Sequence, residues 1–523
     1  MKIVLSLKPP YIGETSPRLM GSVKDSGFYT LVLPTGAGKT LNVLRVISGI
    51  YKETQWMPRR IIYALPFVSL VEQTEEVYRK VLGEEQVASL HYLSEIDDVE
   101  EKYLRGWQRS VDSPQWRSPV VITTFVRLWD MLVPRRGGDL VSRRFLFNSL
   151  IILDEIQSFP IEYWSALRRL MEVYAERYKT RFILMTATIP TLFTEMNVHN
   201  VVEMDENIWR RYLSRRRYHF VDGMVSIDRL AEMIKTEDKT TLVIVNTRKK
   251  AYDLSEKLGL PVLTSSEPKF IRWVLIDAVK KGKINKLVAT QTVEAGADID
   301  FDVVYREMSP MGSIIQSGGR CNRGGRRGDF TVKVFRFDDT EDNFSSVYGD
   351  AYLNIMKDVL DSVWGSVIKE DILYEMWKKV QEEIIGRIDE SRVDEYIRIG
   401  NFSAIREREK GLIREVSKSV YVIPPKWYKR FQKMKETGRM PSDRYNFCRY
   451  VIFADDVPFN SSFNSKRIRQ WLPLFAYSLP VDVGGKEAID DLNLYVFSGD
   501  DLKEWQRKAL NIDRCSLLGI DSS

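Results

Sequence analysis

The sequence predicts an α/β protein: two parallel-sheet domains in tandem, followed by a mixed C-terminal region. Three observations predict it. Short aliphatic and β-branched runs alternate with stretches of helical character, once over 28–188 and again over 241–336. Polar and hydroxyl residues gather at or just past the ends of those runs, where a parallel sheet places its ligands. Beyond about residue 345 the alternation stops.

The chain has 523 residues, too many for one core, so two to four domains are expected. Apolar residues make up 44% and charged residues 29%, a balance that fits a soluble globular chain. The net charge of +6 is compatible with a nucleic-acid partner. No apolar stretch reaches the ~18 residues a membrane span needs. The N-terminus lacks the core of a secretory signal, so a cytoplasmic chain without a membrane partner is expected. The three cysteines, Cys321, Cys448 and Cys515, are far apart and exclude a disulfide framework or a cysteine-held cluster. The three histidines, His91, His199 and His219, are too few to assemble a His/Asp metal nuclease centre with any ease.

The first apolar run, Phe28–Leu33, reads as a strand and leads through a Gly-rich turn into a helix-like stretch, Leu41–Ile50. The buried-strand runs that follow are Arg60–Pro66, Pro119–Thr123, Leu150–Leu153 and Arg181–Met185, with a helix over Phe67–Leu82. Met204–Gly223 is charged and irregular and marks a domain boundary; Arg210, Arg211, Arg215, Arg216 and Arg217 read as a solvated linker or as contacts to backbone phosphates. The second rhythm has strands at Thr241–Val245, Pro261–Leu263, Lys286–Ala289, Val303–Arg306 and Asp329–Arg336. Its helices are expected over Arg248–Leu258, Phe270–Lys280 and from Ser313. The expected domains are therefore 1–208, 209–345 and 346–523. In the last, Trp364, Trp377, Trp427 and Trp471 lie partly among basic residues, as core aromatics or as base-stacking groups.

Leu33–Thr40 reads LPTGAGKT. A strand, a tight turn with Gly36 and Gly38, and a helix form the context of a phosphate-binding loop. The glycines let the backbone approach an anion, and the N–H groups of the turn point at it. Pro34, Thr35, Gly36, Ala37 and Gly38 are the expected phosphate cradle. Lys39 would reach the β- and γ-phosphates, and the Thr40 hydroxyl would ligate Mg²⁺. Leu33 stands where the strict pattern has glycine.

Asp154-Glu155 ends an apolar strand and supplies the other half of a nucleoside-triphosphate site. Asp154 would hold Mg²⁺, and Glu155 would polarise the attacking water. Gln316-Ser317-Gly318-Gly319-Arg320-Cys321-Asn322-Arg323 adds two arginines three apart, expected on one helical face. From a second domain they would stabilise charge on the γ-phosphate, and Gln316 would sense the nucleotide or the water.

LPTGAGKT, LDEIQ, MTAT and QSGGRCNR resemble motifs I, II, III and VI of superfamily 2 helicases. Together with ALPFVSLVEQT (Ala64–Thr74), ITTFVRLWD (Ile122–Asp130), IVNTRKKA (Ile244–Ala251) and VATQTVEAGADIDFD (Val288–Asp302), they resemble the CRISPR-associated helicase of type I systems. The resemblance covers roughly 28–335. It implies two tandem RecA-like domains and ATP-driven 3′→5′ translocation on single-stranded DNA, recruited by an RNA-guided surveillance complex. By position it implies nucleotide contacts from Gly296 and Asp298 in motif V. Coupling or nucleic-acid roles fall to Thr124, Gln157, Thr186, Thr188, Asn246, Thr247 and Thr290. Departures are visible. Gln157 stands where His is usual, Ser317 where Arg is usual, and no adenine-reading Gln precedes the loop. Many members carry an N-terminal His/Asp nuclease domain; here the expectation is a helicase subunit whose HD-type nuclease is a separate polypeptide. A general DNA or RNA helicase is the alternative, and an ATP-gated scaffold a third reading.

Overall fold

The computed structural model describes residues 18–19, 27–33, 39–90, 114–134, 137–159, 163–186, 193, 196, 198–200, 202–203, 215–294, 297–326, 328–341, 344–345, 350–385, 395–397, 419–423, 425–442, 444–453, 458–459, 461–462, 477–480, 487–489 and 494–496.

The first sheet is built from β1 (Phe28–Val32), β2 (Ile61–Leu65), β3 (Val87–Leu90), β4 (Val120–Thr124), β5 (Leu150–Asp154), β6 (Arg181–Thr186) and β7 (Val198–Asn200). Their order is β3-β4-β2-β5-β6-β1-β7, and every pairing is parallel. Its helices are α1 (Lys39–Thr54), α2 (Val68–Leu82), α3 (Phe125–Leu132) and α4 (Trp164–Tyr178). Both faces are covered, which is why the strands read as unbroken apolar runs. Ile61, Tyr63 and Leu65 of β2 enter one apolar cluster and Ile62 and Ala64 the other. The strand order sets the site: β6 lies between β1, which leads to the Gly-rich turn, and β5, which ends in Asp154.

The second sheet comprises β8 (Arg217–Phe220), β9 (Thr241–Ile244), β10 (Val262–Leu263), β11 (Lys286–Ala289), β12 (Val303–Glu307), β13 (Thr331–Phe335) and β14 (Val367–Lys369), ordered β10-β11-β9-β12-β13-β8-β14. All pairings are parallel except the last, where β14 runs antiparallel to β8. Helices α5 (Ile227–Lys235), α6 (Arg248–Leu258), α7 (Lys269–Lys280), α8 (Met311–Gly318), α9 (Asp350–Leu360) and α10 (Glu370–Ile385) accompany it. The expected α/β class with two parallel-sheet domains is therefore the observed one.

Several elements were not expected. β8 forms within the stretch read as a linker, and β14 comes from beyond residue 345. Arg216 is accordingly neither solvated nor exposed to a phosphate. It is buried, lies 2.8 Å from Glu370 Oε2, and donates to the carbonyls of Gly318 and Cys321. Burial pushes the Glu370 carboxyl up, against the pull of Arg216. Arg210 and Arg211 lie outside the described residues. β3, α3 and α4 are likewise additions to the sequence reading.

Farther on, Ser419–Ile423 forms a mixed sheet, antiparallel to Tyr477–Pro480 and parallel to Leu494–Val496, which Glu487–Ile489 flanks. Pro425–Thr437 is a helix, and Trp427 on it is buried, as is Trp377 on α10. These two indoles are core groups. Trp364 packs edge-on to Phe220 and under the Arg336 guanidinium. Trp471 lies outside the described residues.

Candidate nucleotide site

Tyr29, Leu31 and Leu33 alternate into one apolar cluster, and each is fully buried. Leu33 N–H donates to the Thr186 carbonyl at 3.1 Å, so position 33 still belongs to the sheet. A glycine there would forfeit core packing, which accounts for the departure. Pro34, Thr35, Gly36, Ala37 and Gly38 lie outside the described residues. α1 opens on Lys39, which is buried, with Thr40 next to it.

β5 delivers Asp154 to the end of the sheet, and the backbone then turns sharply. Glu155 sits at φ 55°, in the left-handed region that costs a non-glycine residue energy and recurs at functional sites. That turn splits the two carboxylates. Asp154 Oδ2 accepts from Tyr63 Oη at 2.7 Å and Oδ1 from the Glu155 N–H at 2.9 Å. Glu155 Oε1 meets Lys39 Nζ at 2.9 Å. Burial and the Glu155 charge together push the Asp154 carboxyl up to about 6, against the opposing pull of Lys39. Burial also pushes Glu155 up, but Lys39, Gln157 and Arg320 outweigh it and hold it below the ordinary range. Lys39 thus compensates the Glu155 charge more fully than that of Asp154.

The network continues to β6. Gln157 Nε2 donates to Glu155 Oε2 at 2.5 Å, and Thr186 Oγ1 donates to Gln157 Oε1 at 2.6 Å. Lys39, Glu155, Gln157 and Thr186 form one continuous chain of contacts. Glutamine at 157 supplies both a donor and an acceptor, which the relay uses. Thr188 lies outside the described residues.

The second domain brings Arg320 toward this centre. α8 ends at Gly318, so Arg320 and Arg323 lie on the turn that follows and not on one helical face. The isolated bridge Phe301↔Cys321 and the left-handed Asn322, φ 51°, fix that turn. Arg320 is buried, with Nε and Nη2 each donating at 2.7 Å to the carbonyls of Val293 and Glu294. Burial and then Arg323 lower its pKa to about 9, while Glu155 opposes them from the first domain. Arg323 is half-buried and lies 3.4 Å from Asp298 Oδ1. Asp298 also pairs with Lys280 at 2.7 Å. Gln316 reaches the first domain too, but its amide donates to Ser158 Oγ at 3.2 Å.

The remaining positions divide. Thr124 caps α3 by accepting from Arg127 N–H, and Thr247 caps α6 by accepting from Lys250 N–H. The Asn246 side chain is engaged internally, donating to Met308 O and accepting from Arg306 Nη1, both at 2.7 Å. Thr290 is buried and shares a hydrogen bond with Thr292. Gly296 lies outside the described residues.

Four participants were missed from the sequence: Tyr63, Ser158, Glu294 and Arg306. Arg306 is fully buried, 2.9 Å from Glu294 Oε1, and Ser317 Oγ donates to that same oxygen at 3.2 Å. A tyrosine and an arginine within otherwise apolar strands were the available signals, because each needs a buried partner.

The family model for DEAD/DEAH box helicases matches residues 20–196, and that for the C-terminal part of the CRISPR-associated nuclease/helicase Cas3 matches 269–326. Among curated proteins, the CRISPR-associated nuclease/helicase Cas3 of Haloferax volcanii is 26% identical over 449 residues, covering 62% of this chain and 48% of that protein. The protein of the same description from Methanothermobacter thermautotrophicus is 26% identical over 446 residues, covering 78% and 53%. The chain is similar to Cas3 proteins over both matched stretches. This Cas3-like chain spans about half the length of those curated relatives. A crystal structure of T. fusca Cas3 with AMPPNP shares the fold, with a TM-score of 0.56 at 14% identity over 90% of this chain and 65% of that one.

Proposed function

We propose that this chain is an ATP-dependent motor that translocates 3′→5′ on single-stranded DNA and unwinds target DNA in type I CRISPR interference. The observation that carries the reading is the convergence of Lys39, Asp154, Glu155 and Gln157 at the end of one sheet with the buried Arg320 of the other.

Lys39 leaves Glu155 for the β- and γ-phosphates when nucleotide enters, because both compete for one ammonium. Glu155, ionised, then accepts a proton from the attacking water. Asp154 and the Thr40 hydroxyl form an oxygen-only donor set that suits Mg²⁺, a hard cation. Held by Asp154 and Thr40, Mg²⁺ would supply charge neutralisation for the phosphates. Arg320, with Arg323 beside it, stabilises charge on the γ-phosphate from the second domain, so hydrolysis requires the two domains to meet. Gln157, Thr186 and Thr188 pass the nucleotide state to the nucleic-acid track, to which Thr124, Thr247 and Thr290 belong. The paucity of histidine favours cleavage by a separate HD-type nuclease polypeptide, with the RNA-guided surveillance complex as recruiter. Among the described residues no helix is long and apolar enough to cross a membrane, in keeping with a proposed cytoplasmic site of action.

The test is ATP hydrolysis with and without single-stranded DNA, then unwinding of 3′-tailed duplexes, for wild type and Lys39→Ala. Absence of DNA stimulation sinks the motor reading. Equal or better work on RNA tracks favours a general helicase. Metal-dependent DNA cleavage by the pure protein refutes the separate-nuclease proposal.

A further inference from the structure

We propose that Tyr63 and Tyr78 are positioning residues of the nucleotide site, holding the Asp154 carboxylate and the first turn of α1 in fixed relation. The inference rests on the nucleotide-site reading above and carries it one layer deeper into the fold.

Tyr63 lies on β2 opposite Ile152 of β5. Residues two apart on a strand share a face, so Tyr63 and Asp154 are diagonal neighbours, a separation that a long aromatic side chain spans. The Tyr63 hydroxyl closes that gap at 2.7 Å, on Asp154 Oδ2. The other oxygen, Oδ1, takes the Glu155 N–H. One bond on each oxygen fixes the rotation of the carboxylate and leaves further lone pairs for a cation.

Tyr78 extends the support to α1. It projects from α2 onto the same face of the sheet, and its ring meets that of Tyr63 edge to face, 5.5 Å apart at 77°. Its hydroxyl donates to the Thr40 carbonyl at 3.1 Å. Asp154, Tyr63, Tyr78 and Thr40 therefore form one path joining the two residues proposed to hold Mg²⁺. Both tyrosines are fully buried within an otherwise apolar cluster. Phenylalanine would fill the same space, so packing alone does not call for the hydroxyls.

Tyr63→Phe and Tyr78→Phe each remove one oxygen from the full 523-residue chain. The measurements are binding of a fluorescent ATP analogue as Mg²⁺ is titrated, and the thermal midpoint without ligand. Tyr63→Phe should bind the analogue as wild type does without Mg²⁺, and should require about tenfold more Mg²⁺ for half of the Mg²⁺-dependent gain. Tyr78→Phe should shift the Mg²⁺ midpoint in the same direction. If wild type responds to Mg²⁺ and Tyr63→Phe responds identically, the positioning role is overturned and the nucleotide site stands. A lowered thermal midpoint with an unchanged Mg²⁺ response assigns the hydroxyl to packing and likewise overturns it. A wild-type chain that binds no nucleotide at any Mg²⁺ concentration overturns both.

Discussion

Thr186 Oγ1 donates a 2.6 Å hydrogen bond to Gln157 Oε1, joining the end of β6 to the turn that follows β5. Because β6 lies between the strands that carry the Gly-rich turn and Asp154, this bond ties the middle strand of the three to the turn that carries Glu155. Thr186→Val keeps the shape and removes the donor, leaving the Gln157 acceptor unpaired at a cost of about 1–3 kcal/mol. Base pairs opened per ATP hydrolysed should fall by about tenfold, the equivalent of ~1.4 kcal/mol. Parallel ATPase and unwinding assays check this; an unchanged ratio sinks the relay.

Lys39 and Glu155 form an ion pair at 2.9 Å. Lys39→Met strands the Glu155 carboxylate, and the chain should lose about 1–3 kcal/mol of stability. Adding Glu155→Gln to it should recover most of that loss and none of the ATPase, because the pair is destabilising to break but not to replace. Denaturant unfolding of the single and double variants reads the difference. A double variant no more stable than Lys39→Met would contradict the pairing.

Arg216 should behave as a structural charge. Arg216→Met leaves Glu370 buried and unpaired, for a loss of about 3–5 kcal/mol. A phosphate contact would instead change the slope of log affinity against log salt by about 1. The expected result is a lower thermal midpoint with an unchanged salt slope for single-stranded DNA.

Gly318 abuts the buried Tyr218 ring so closely that a Cβ would strike its hydroxyl. Gly318→Ala should therefore be overpacked by about 1–3 kcal/mol, and it should displace Arg320, two residues on. Tyr218→Phe removes the struck oxygen and should relieve part of the penalty in the double variant. Thermal melts of the four-member cycle test it; strict additivity would deny the contact.

Much of this organisation is legible in the sequence. β1, β2, β5, β6, β9, β11 and β12 announce themselves because parallel strands covered on both faces must be continuously apolar. The last two strands on one side of the second sheet are harder to read. β8 carries Arg217 and His219 among its few residues, and β14 pairs across a long chain separation, so local pattern has nothing to report. At the site, Lys39, Asp154 and Glu155 were found by spacing and by position at strand ends. The arginines were found as residues but placed on a helix, because the Gly318-Gly319 pair that ends α8 was read only as part of a motif. Tyr63 and Arg306 escaped notice because their roles exist only across strands.

The antiparallel strand β14 has a practical consequence. A protein cut back to the two motif-bearing halves, ending at residue 345, would lose the strand that covers the outer edge of β8 and the carboxylate that neutralises Arg216. It would carry an open β-edge that invites pairing with another chain, and a buried arginine without its carboxylate. The smallest piece worth expressing therefore extends through α10.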